Sequence, residues 1–245
     1  MSAPASTVVR TVAGLGLRSV FGRRRGILLY LLPVVLIGLA ALVRGMVGAD
    51  TDAATAVLYG LGLAVLVPLV ALIGTSGLLA PEIDDGSIAY LLAKPVNRHL
   101  VVVSKLLVAV GCVLAFGSVP MLVAGLVLLP DDPGLAVAYA VGSLAGGAAY
   151  CSLFALLSIR TKHAVVIGLV YLLVWEGLLG GLLDGVRWLS VTRWSARIVD
   201  AVNDTAGLSV DLSAPYAVVA CLVLLLGGIA VAGWRLRAFN LTGDE

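Results

Sequence analysis

The densest group of charged side chains in this sequence lies between Pro81 and Lys105, with a long apolar run on each side. The residues that stand out there are Glu82, Asp84, Asp85, Gly86, Lys94, Pro95 and Arg98. Carboxylates and a guanidinium form charge-assisted hydrogen bonds with a partner or within a short helix. The segment therefore indicates a cytoplasmic loop that makes polar contacts, with Gly86 supplying a backbone turn.

Other reactive side chains form no catalytic or metal-binding group. His99 and His163 have no second His, Cys or acid at a metal-ligand spacing. The sequence contains no nucleophile and base arrangement and no phosphate-binding Gly-x-x-x-x-Gly-Lys-Ser/Thr loop. We therefore expect no catalytic residue, no metal and no cofactor bound by this chain.

Composition indicates a membrane protein. The sequence is 61% hydrophobic and 12% charged, against about 45 to 50% and about 25% in soluble domains. Its 3 cysteines imply no disulfide framework. The net charge of +2 and the lack of a long basic run give no support to nucleic-acid binding.

Continuous apolar runs predict an all-α, polytopic bundle of six transmembrane helices, since only helices or closed barrels cross lipid. The predicted spans are 27–43, 53–79, 100–129, 134–159, 164–183 and 215–234. Pro68 and Pro120 are expected kink sites. The span domain covers 27–234 and is followed by a cytoplasmic tail, 235–245.

The distribution of Lys and Arg predicts the orientation. Of the 16 such residues, only Arg44, Arg187, Arg193 and Arg197 fall on one side of the predicted spans. An excess of Lys and Arg marks cytoplasmic loops. We therefore expect a multi-pass protein of the cytoplasmic membrane, with both termini and the charged loop in the cytoplasm.

Two further segments have amphipathic periodicity. Residues 1–26 are predicted to contain a cytoplasmic N-terminal helix on the membrane surface, with a disordered basic tail as the alternative. Residues 186–204 predict an external, interfacial helix between spans five and six, with Trp188 and Trp194 in the headgroup zone. A membrane-surface loop with no gating role is the alternative. The polar face of this helix is Arg187, Ser190, Arg193, Arg197, Asp200 and Asp204, and its apolar face is Trp188, Val191, Trp194, Ile198, Val199 and Val202. Small residues spaced by four, as in Gly142 to Gly146, indicate close helix packing, either within the bundle or between subunits.

The charged loop carries a resemblance to a known family. The residues concerned are Glu82, Asp84, Asp85, Gly86, Ser87, Ile88, Leu91, Leu92, Pro95, Arg98 and Lys105. This pattern resembles the signature of type-2 ABC transporter permeases, and the chain is similar to the small six-span permeases of nitrous-oxide-reductase maturation. The resemblance implies that loop 81–99 couples to a separate P-loop ATPase, present in two copies and carrying ATP and Mg.

The same resemblance implies a dimer with a second copy or a homologous permease, and an external helix that caps the path, which makes Trp188 and Trp194 outer gate candidates. The predicted function is export of a hydrophobic or amphipathic substrate by alternating access. Three alternatives stay open: an intramembrane enzyme, a channel, and a membrane scaffold that does not transport. An enzyme needs paired polar groups at one depth, and a channel needs polar rings, which these spans lack.

Glu176 is the ionisable residue that lies well inside a predicted span. Counted from Ala164, it lies roughly 18 Å deep. A carboxyl group at that depth is costly unless it is neutralised, hydrogen bonded or facing water. Two interpretations stay open: Glu176 lines the substrate path, or it is a structural acid bonded to a neighbour such as Tyr150 or Ser118.

Overall fold

The regular structure of the described chain is helical. The computed structural model describes residues 25–84, 98–161, 163–180, 185, 188–208 and 210–238. Helices follow one another through these ranges, which contain no strand. The predicted all-α class is therefore confirmed.

Seven helices, α1 to α7, make up this described part. Their bounds are Arg25–Val47 for α1; Thr51–Val57, Leu58–Leu66 and Val67–Asp84 for α2; Arg98–Val113, Leu114–Ser118 and Val119–Leu128 for α3; Pro133–Arg160 for α4; Ala164–Val170 and Tyr171–Leu179 for α5; Val191–Val202 for α6; and Ala214–Ala238 for α7. A short 3-10 turn, Asp204–Ala206, follows α6.

Five stretches are long and apolar enough to cross a membrane. They are Gly26–Val47, Thr51–Gly77, Val103–Leu128, Pro133–Arg160 and Ala214–Ala232. The fifth predicted span corresponds to a shorter apolar helix, Ala164–Leu179, which falls below that length. Several apolar helices of spanning length confirm a multi-pass membrane protein.

Three helices contain wider, π-helical turns, at Leu58–Leu66, Leu114–Ser118 and Tyr171–Leu179. The first two end just before Pro68 and Pro120, the expected kink sites. A proline has no N–H to donate, and its ring clashes with the carbonyl one turn earlier, so widening that turn relieves the conflict. The third π-helical segment, unlike the first two, is not followed by a proline.

Short polar caps separate the helices. Asp50 and Asp132 each precede a helix, and their carboxylates accept hydrogen bonds from the backbone N–H groups of Ala53 and Leu135. Such caps satisfy donors that the first turn of a helix leaves free. The chain turns between α1 and α2 at Gly48, whose φ of 87° favours glycine.

Helix α4 lies at the centre of the bundle, packed against α2, α3, α6 and α7. Its Tyr139, Tyr150 and Phe154 are among the largest fully buried side chains. The Ser152 hydroxyl donates to the Leu224 and Leu225 carbonyl oxygens of α7, at 3.0 and 3.1 Å. Helices α1, α5 and α7 leave broad apolar faces exposed, as suits a peripheral position in lipid.

The amphipathic segment after α5 forms a shorter helix than predicted. We expected it to span 186–204, whereas α6 is Val191–Val202. The start differs because the Ser190 side chain accepts from the Arg193 N–H and caps the helix there. On the predicted apolar face, Val191, Trp194, Ile198 and Val199 are buried, whereas Trp188 and Val202 are exposed.

Close packing of α6 on α4 depends on two glycines, Gly142 and Gly146, which we call the glycine seam. A Cβ atom at Gly142 would lie 2.8 Å from the Ser195 carbonyl oxygen of α6, and one at Gly146 would overlap the Ser195 hydroxyl. The four-residue spacing therefore serves packing within the bundle. At Gly177, which is exposed, a Cβ atom would meet the Leu172 carbonyl oxygen of its own helix at 3.5 Å.

Two predicted segments fall largely beyond these ranges. The N-terminal helix 1–26 lies outside the described residues as far as residue 24, and the predicted tail does so from residue 239. Helix α7 itself continues to Ala238. Both assignments stay predictions.

We expect Gly142→Ala to destabilise the protein by about 1–3 kcal/mol, because the new methyl group meets a backbone carbonyl that moves only if α6 moves. Thermal unfolding of the purified protein measures this. Gly38→Ala is the matched control, since a Cβ there meets nothing within 4 Å, and alanine favours a helix by about 1 kcal/mol. Equal unfolding temperatures for the two variants would contradict the packing role of the seam.

Candidate functional site

The charged loop is only partly within the described structure. Helix α2 extends to Asp84 and therefore includes Glu82, and α3 begins at Arg98. Asp85, Gly86 and Pro95 lie outside the described residues. The coupling role of these six residues stays a prediction.

Glu176 accepts three hydrogen bonds. The Ser190 hydroxyl donates to Oε2 at 2.6 Å, and the Val191 backbone N–H donates to Oε1 at 3.0 Å. The Tyr171 hydroxyl also donates to Oε1, at 3.3 Å. We call the contact of Glu176 with Ser190 and Val191 the Glu176 clasp, because it joins α5 to the start of α6.

The clasp fits the electrostatics of a helix N-terminus. The first turn of a helix has free N–H groups and partial positive charge, so it binds a carboxylate well. Ser190 contributes twice: its oxygen accepts from the Arg193 N–H while its hydrogen goes to Glu176. A carboxylate in an apolar helix and the unpaired donors of another helix thus satisfy each other.

Of the two partners suggested by the sequence, Tyr150 lies close enough to Glu176 to interact with its carboxylate, whereas Ser118 bonds elsewhere. Tyr150 hydrogen-bonds to Thr192 at 2.8 Å, and Ser118 accepts from Ser143 at 3.0 Å. Tyr171 and Glu176 are five residues apart, a spacing that an α-helix does not bring together but a π-helix does, because its bonds run from i to i+5. The Tyr-x4-Glu spacing therefore predicts a contact between these two side chains only in a π-helix, which the sequence does not indicate.

A cavity of about 550 Å³ lies between α2 and α5, next to the start of α6. Its lining residues are Tyr59, Ala64, Val65, Leu69, Leu169, Leu172, Leu173, Glu176, Gly177, Gly180, Ser190, Thr192 and Arg193. The volume is in the range of pockets that hold drug-sized ligands. Glu176 therefore lines a cavity, while its carboxylate is already engaged by three donors.

Polar and apolar groups lie at opposite ends of this cavity. Helices α2 and α5 run antiparallel past the cavity. Leu69 of α2 and Leu169 of α5 therefore mark one end of the cavity, and Tyr59 and Gly180 mark the other. Ser190, Thr192 and Arg193 belong to the same end as Tyr59. The cavity is amphipathic along its length.

The two tryptophans proposed as an outer gate have different surroundings. Trp194 is 7% exposed, and its indole N–H donates to the Trp188 carbonyl oxygen at 2.8 Å. Trp188 is 51% exposed, and its ring meets the Tyr216 ring edge to face, 5.5 Å between centroids. Neither residue lines the cavity. Their gating role stays a prediction, and the contacts tie the turn before α6 to α7.

Further contacts fix the other end of α6. The Arg197 guanidinium donates to the Leu212 carbonyl oxygen at 2.7 Å and pairs with Asp200 at 2.8 Å. The Asn203 amide donates to the Asp132 carboxylate at 3.3 Å. Helix α6 is thus held to the chain before α4, along α4 and to α5.

Arg193 differs from Arg197 in having no counter-ion. It lines the cavity and is half-buried, yet it forms no ion pair with any residue that the structure describes. The sequence placed it on a polar face and gave no sign that it borders a cavity. Among the described residues, no group of three His, Cys, Asp or Glu could hold a metal ion.

The comparison with family models decides the family. The model for the ABC-2 family transporter protein matches residues 31–234, which is most of the sequence. This chain belongs to the ABC-2 transporter family. The comparison with curated proteins found no match.

Membership makes this ABC-2 permease the membrane subunit of a transporter and confirms the family predicted from the charged loop. The family implies no enzymatic activity of the chain itself, and such permeases generally pair with an ATPase subunit. The matched region includes α2, α5 and α6, and therefore the cavity and the Glu176 clasp.

We expect Glu176→Leu to destabilise the protein by about 1–3 kcal/mol, because it leaves the Val191 N–H and the Ser190 hydroxyl without an acceptor. Glu176→Gln keeps an acceptor oxygen and should lose less. Thermal unfolding and amide hydrogen exchange at the first turn of α6 measure the effect. A Leu variant with an unchanged unfolding temperature and unchanged hydrogen exchange would contradict a stabilising role of the clasp.

Proposed function

We propose that this ABC-2 permease is one membrane subunit of an ATP-driven exporter, and that it moves a hydrophobic or amphipathic substrate by alternating access. The observation that carries the substrate class is the amphipathic cavity between α2 and α5. A cavity lined mainly by Ala, Val and Leu side chains suits an acyl or aromatic group rather than a hydrated ion.

The proposal includes six spans, with α5 as the fifth. Ala164–Leu179 alone is shorter than the usual spanning length, but the apolar sequence continues through residues 180–183. Since Arg160 and Lys162 precede α5 and Arg187 follows it, the excess of basic residues favours a cytoplasmic start. In this orientation α6 and the polar end of the cavity belong to the outer half of the membrane.

Coupling is proposed to proceed through helices that line the cavity. Helix α2 runs from the cavity to Asp84, at the start of the charged loop. A partner ATPase that closes on loop 81–99 would tilt α2 and α3 as rigid bodies and so change which side of the bundle is open. Two ATPase subunits and a second permease copy would complete the transporter, with ATP and Mg held by the ATPases.

Glu176 has a defined part in this proposal. Because its carboxylate joins α5 to α6, a movement of α5 would carry the start of α6 with it, or would break the clasp. While the clasp holds, the start of α6 moves with the fifth span; once the clasp breaks, the two helices move separately. A pathway role is distinguished by Glu176→Gln, which would abolish transport while leaving assembly intact.

We expect the purified chain alone to hydrolyse no ATP, because its sequence contains no phosphate-binding loop. Activity should appear when it is co-expressed and copurified with a P-loop ATPase subunit encoded beside it. Hydrolysis by the pure chain would contradict the assignment of ATP to the partner.

Glu82→Ala and Arg98→Ala should each reduce ATPase copurification and coupled hydrolysis by about tenfold, the effect of losing a charge-assisted contact of roughly 1.4 kcal/mol. Membrane expression should be unchanged. Asp52→Ala is the matched control, since Asp52 is exposed at the other end of α2. Copurification that is equal for all three variants would refute a coupling role for the loop.

A further inference from the structure

We propose that the cavity between α2 and α5 binds an anionic, lipid-like amphiphile, with its acyl chain among the apolar side chains and its anionic head beside Arg193. The inference rests on the proposed function in one respect, that this ligand is the molecule transported. It adds the charge and the shape of that molecule.

The size of the cavity matches one lipid leaflet. Leu169 of α5 and Gly180, just after it, mark the two ends of the cavity. Eleven steps at the α-helical rise would span roughly 16 Å, and the π-helical turns between them make the distance shorter. The hydrocarbon core of a bilayer is about 30 Å thick, so the cavity covers about half of it. An acyl chain that lies along α5 therefore fits a molecule oriented as in a single leaflet.

The apolar part of the wall is continuous. Its residues are Ala64, Val65, Leu69, Leu169, Leu172 and Leu173. Leu173 is 72% exposed, so the wall opens at the surface of the bundle beside α5, where a molecule could enter from lipid without crossing water. The polar residues are confined to the other end, as a lipid head requires.

The charge of the head follows from which groups are already paired. Glu176 is the acid of the cavity wall, and three donors occupy its two oxygens. The Ser190 and Thr192 hydroxyls are also engaged, with Glu176 and Tyr150. These pairings leave Arg193 as the charged side chain of the described cavity wall whose charged group has no protein partner among the described residues.

Arg193 provides the opposite charge. Its guanidinium has no acid partner among the residues that the structure describes, and it lies at the polar end of the cavity. A half-buried cation without a counter-ion attracts an anion strongly, and guanidinium matches carboxylate or phosphate oxygens with two parallel bonds. Because the Glu176 oxygens already accept three hydrogen bonds whereas the Arg193 donors have no protein partner among the described residues, we expect an anionic head to bind better than a zwitterionic one.

The native tryptophans allow a direct test. Trp175, Trp188 and Trp194 lie on α5, on the turn before α6 and on α6, and Trp234→Phe removes the one on α7. The full-length protein in phosphatidylcholine nanodiscs is titrated with brominated phosphatidylglycerol or brominated phosphatidylcholine, which quench nearby tryptophan fluorescence. We expect saturable quenching by phosphatidylglycerol, at concentrations at least about tenfold lower than for phosphatidylcholine.

Arg193→Gln should remove this preference, and Arg193→Lys should keep most of it. The matched control is Arg197→Gln, one turn further along α6, because Arg197 is paired with Asp200 and does not line the cavity. Ala64→Phe fills the apolar part and should weaken binding of both lipids while Arg193 is intact. Unfolding temperatures of all variants establish that they are folded.

Three outcomes would overturn the inference. Equal quenching by the two lipids removes the charge selection, and an unchanged preference in folded Arg193→Gln removes its source. Displacement of the brominated lipid by inorganic phosphate alone indicates a simple anion site. Failure of ATPase copurification would count against the proposed function and leave this binding preference untouched, whereas a coupled complex without the preference would refute this inference alone.

Discussion

The contact between the Glu176 carboxylate and the first turn of α6 is the constraint on which the arrangement of the cavity depends. A carboxylate in an apolar helix needs donors, and the start of a helix within a membrane protein needs acceptors. The hydrogen bonds from Ser190 and Val191 meet both needs in one place. They also fix where α6 lies over α5, and so place Arg193 at the polar end of the cavity. Without the clasp, α6 would keep its packing on α4 and α7 and the Arg197 bond to Leu212, but it would lose the Glu176 contact with α5.

The features that lipid imposes could be predicted from the sequence. Continuous apolar runs predicted the helices because backbone N–H and C=O groups in hydrocarbon must bond within a helix or a closed barrel. The apolar positions Val191, Ile198 and Val199 correctly predicted the buried face of α6, because the 3.6-residue period is a local property. The family, too, was readable from the loop after α2, since its signature lies within one short segment.

Features that depend on long-range packing or on irregular helix geometry could not be predicted. The π-helical turn that brings Tyr171 to Glu176 has no proline to announce it. Ser190 could be recognised as a helix cap, but its second bond to Glu176 depends on how α5 and α6 meet. The spacing of Gly142 and Gly146 indicated close approach without identifying α6 as the partner. Arg193 and Arg197 look alike in sequence, and only their neighbours give them different roles.

The order of synthesis gives the clasp a further consequence. Glu176 precedes its donors Ser190 and Val191 by 14 and 15 residues, so α5 leaves the ribosome ahead of the helix start that binds its carboxylate. Helix α5 is also shorter than the five stretches of spanning length. Helix α4 precedes both α5 and α6 in the sequence, and its Gly142 and Gly146 leave room for α6 to pack closely. The hydrogen bonds that satisfy Glu176 are therefore completed by a later part of the chain, so the stability of α5 in the bundle depends on the helix that follows it.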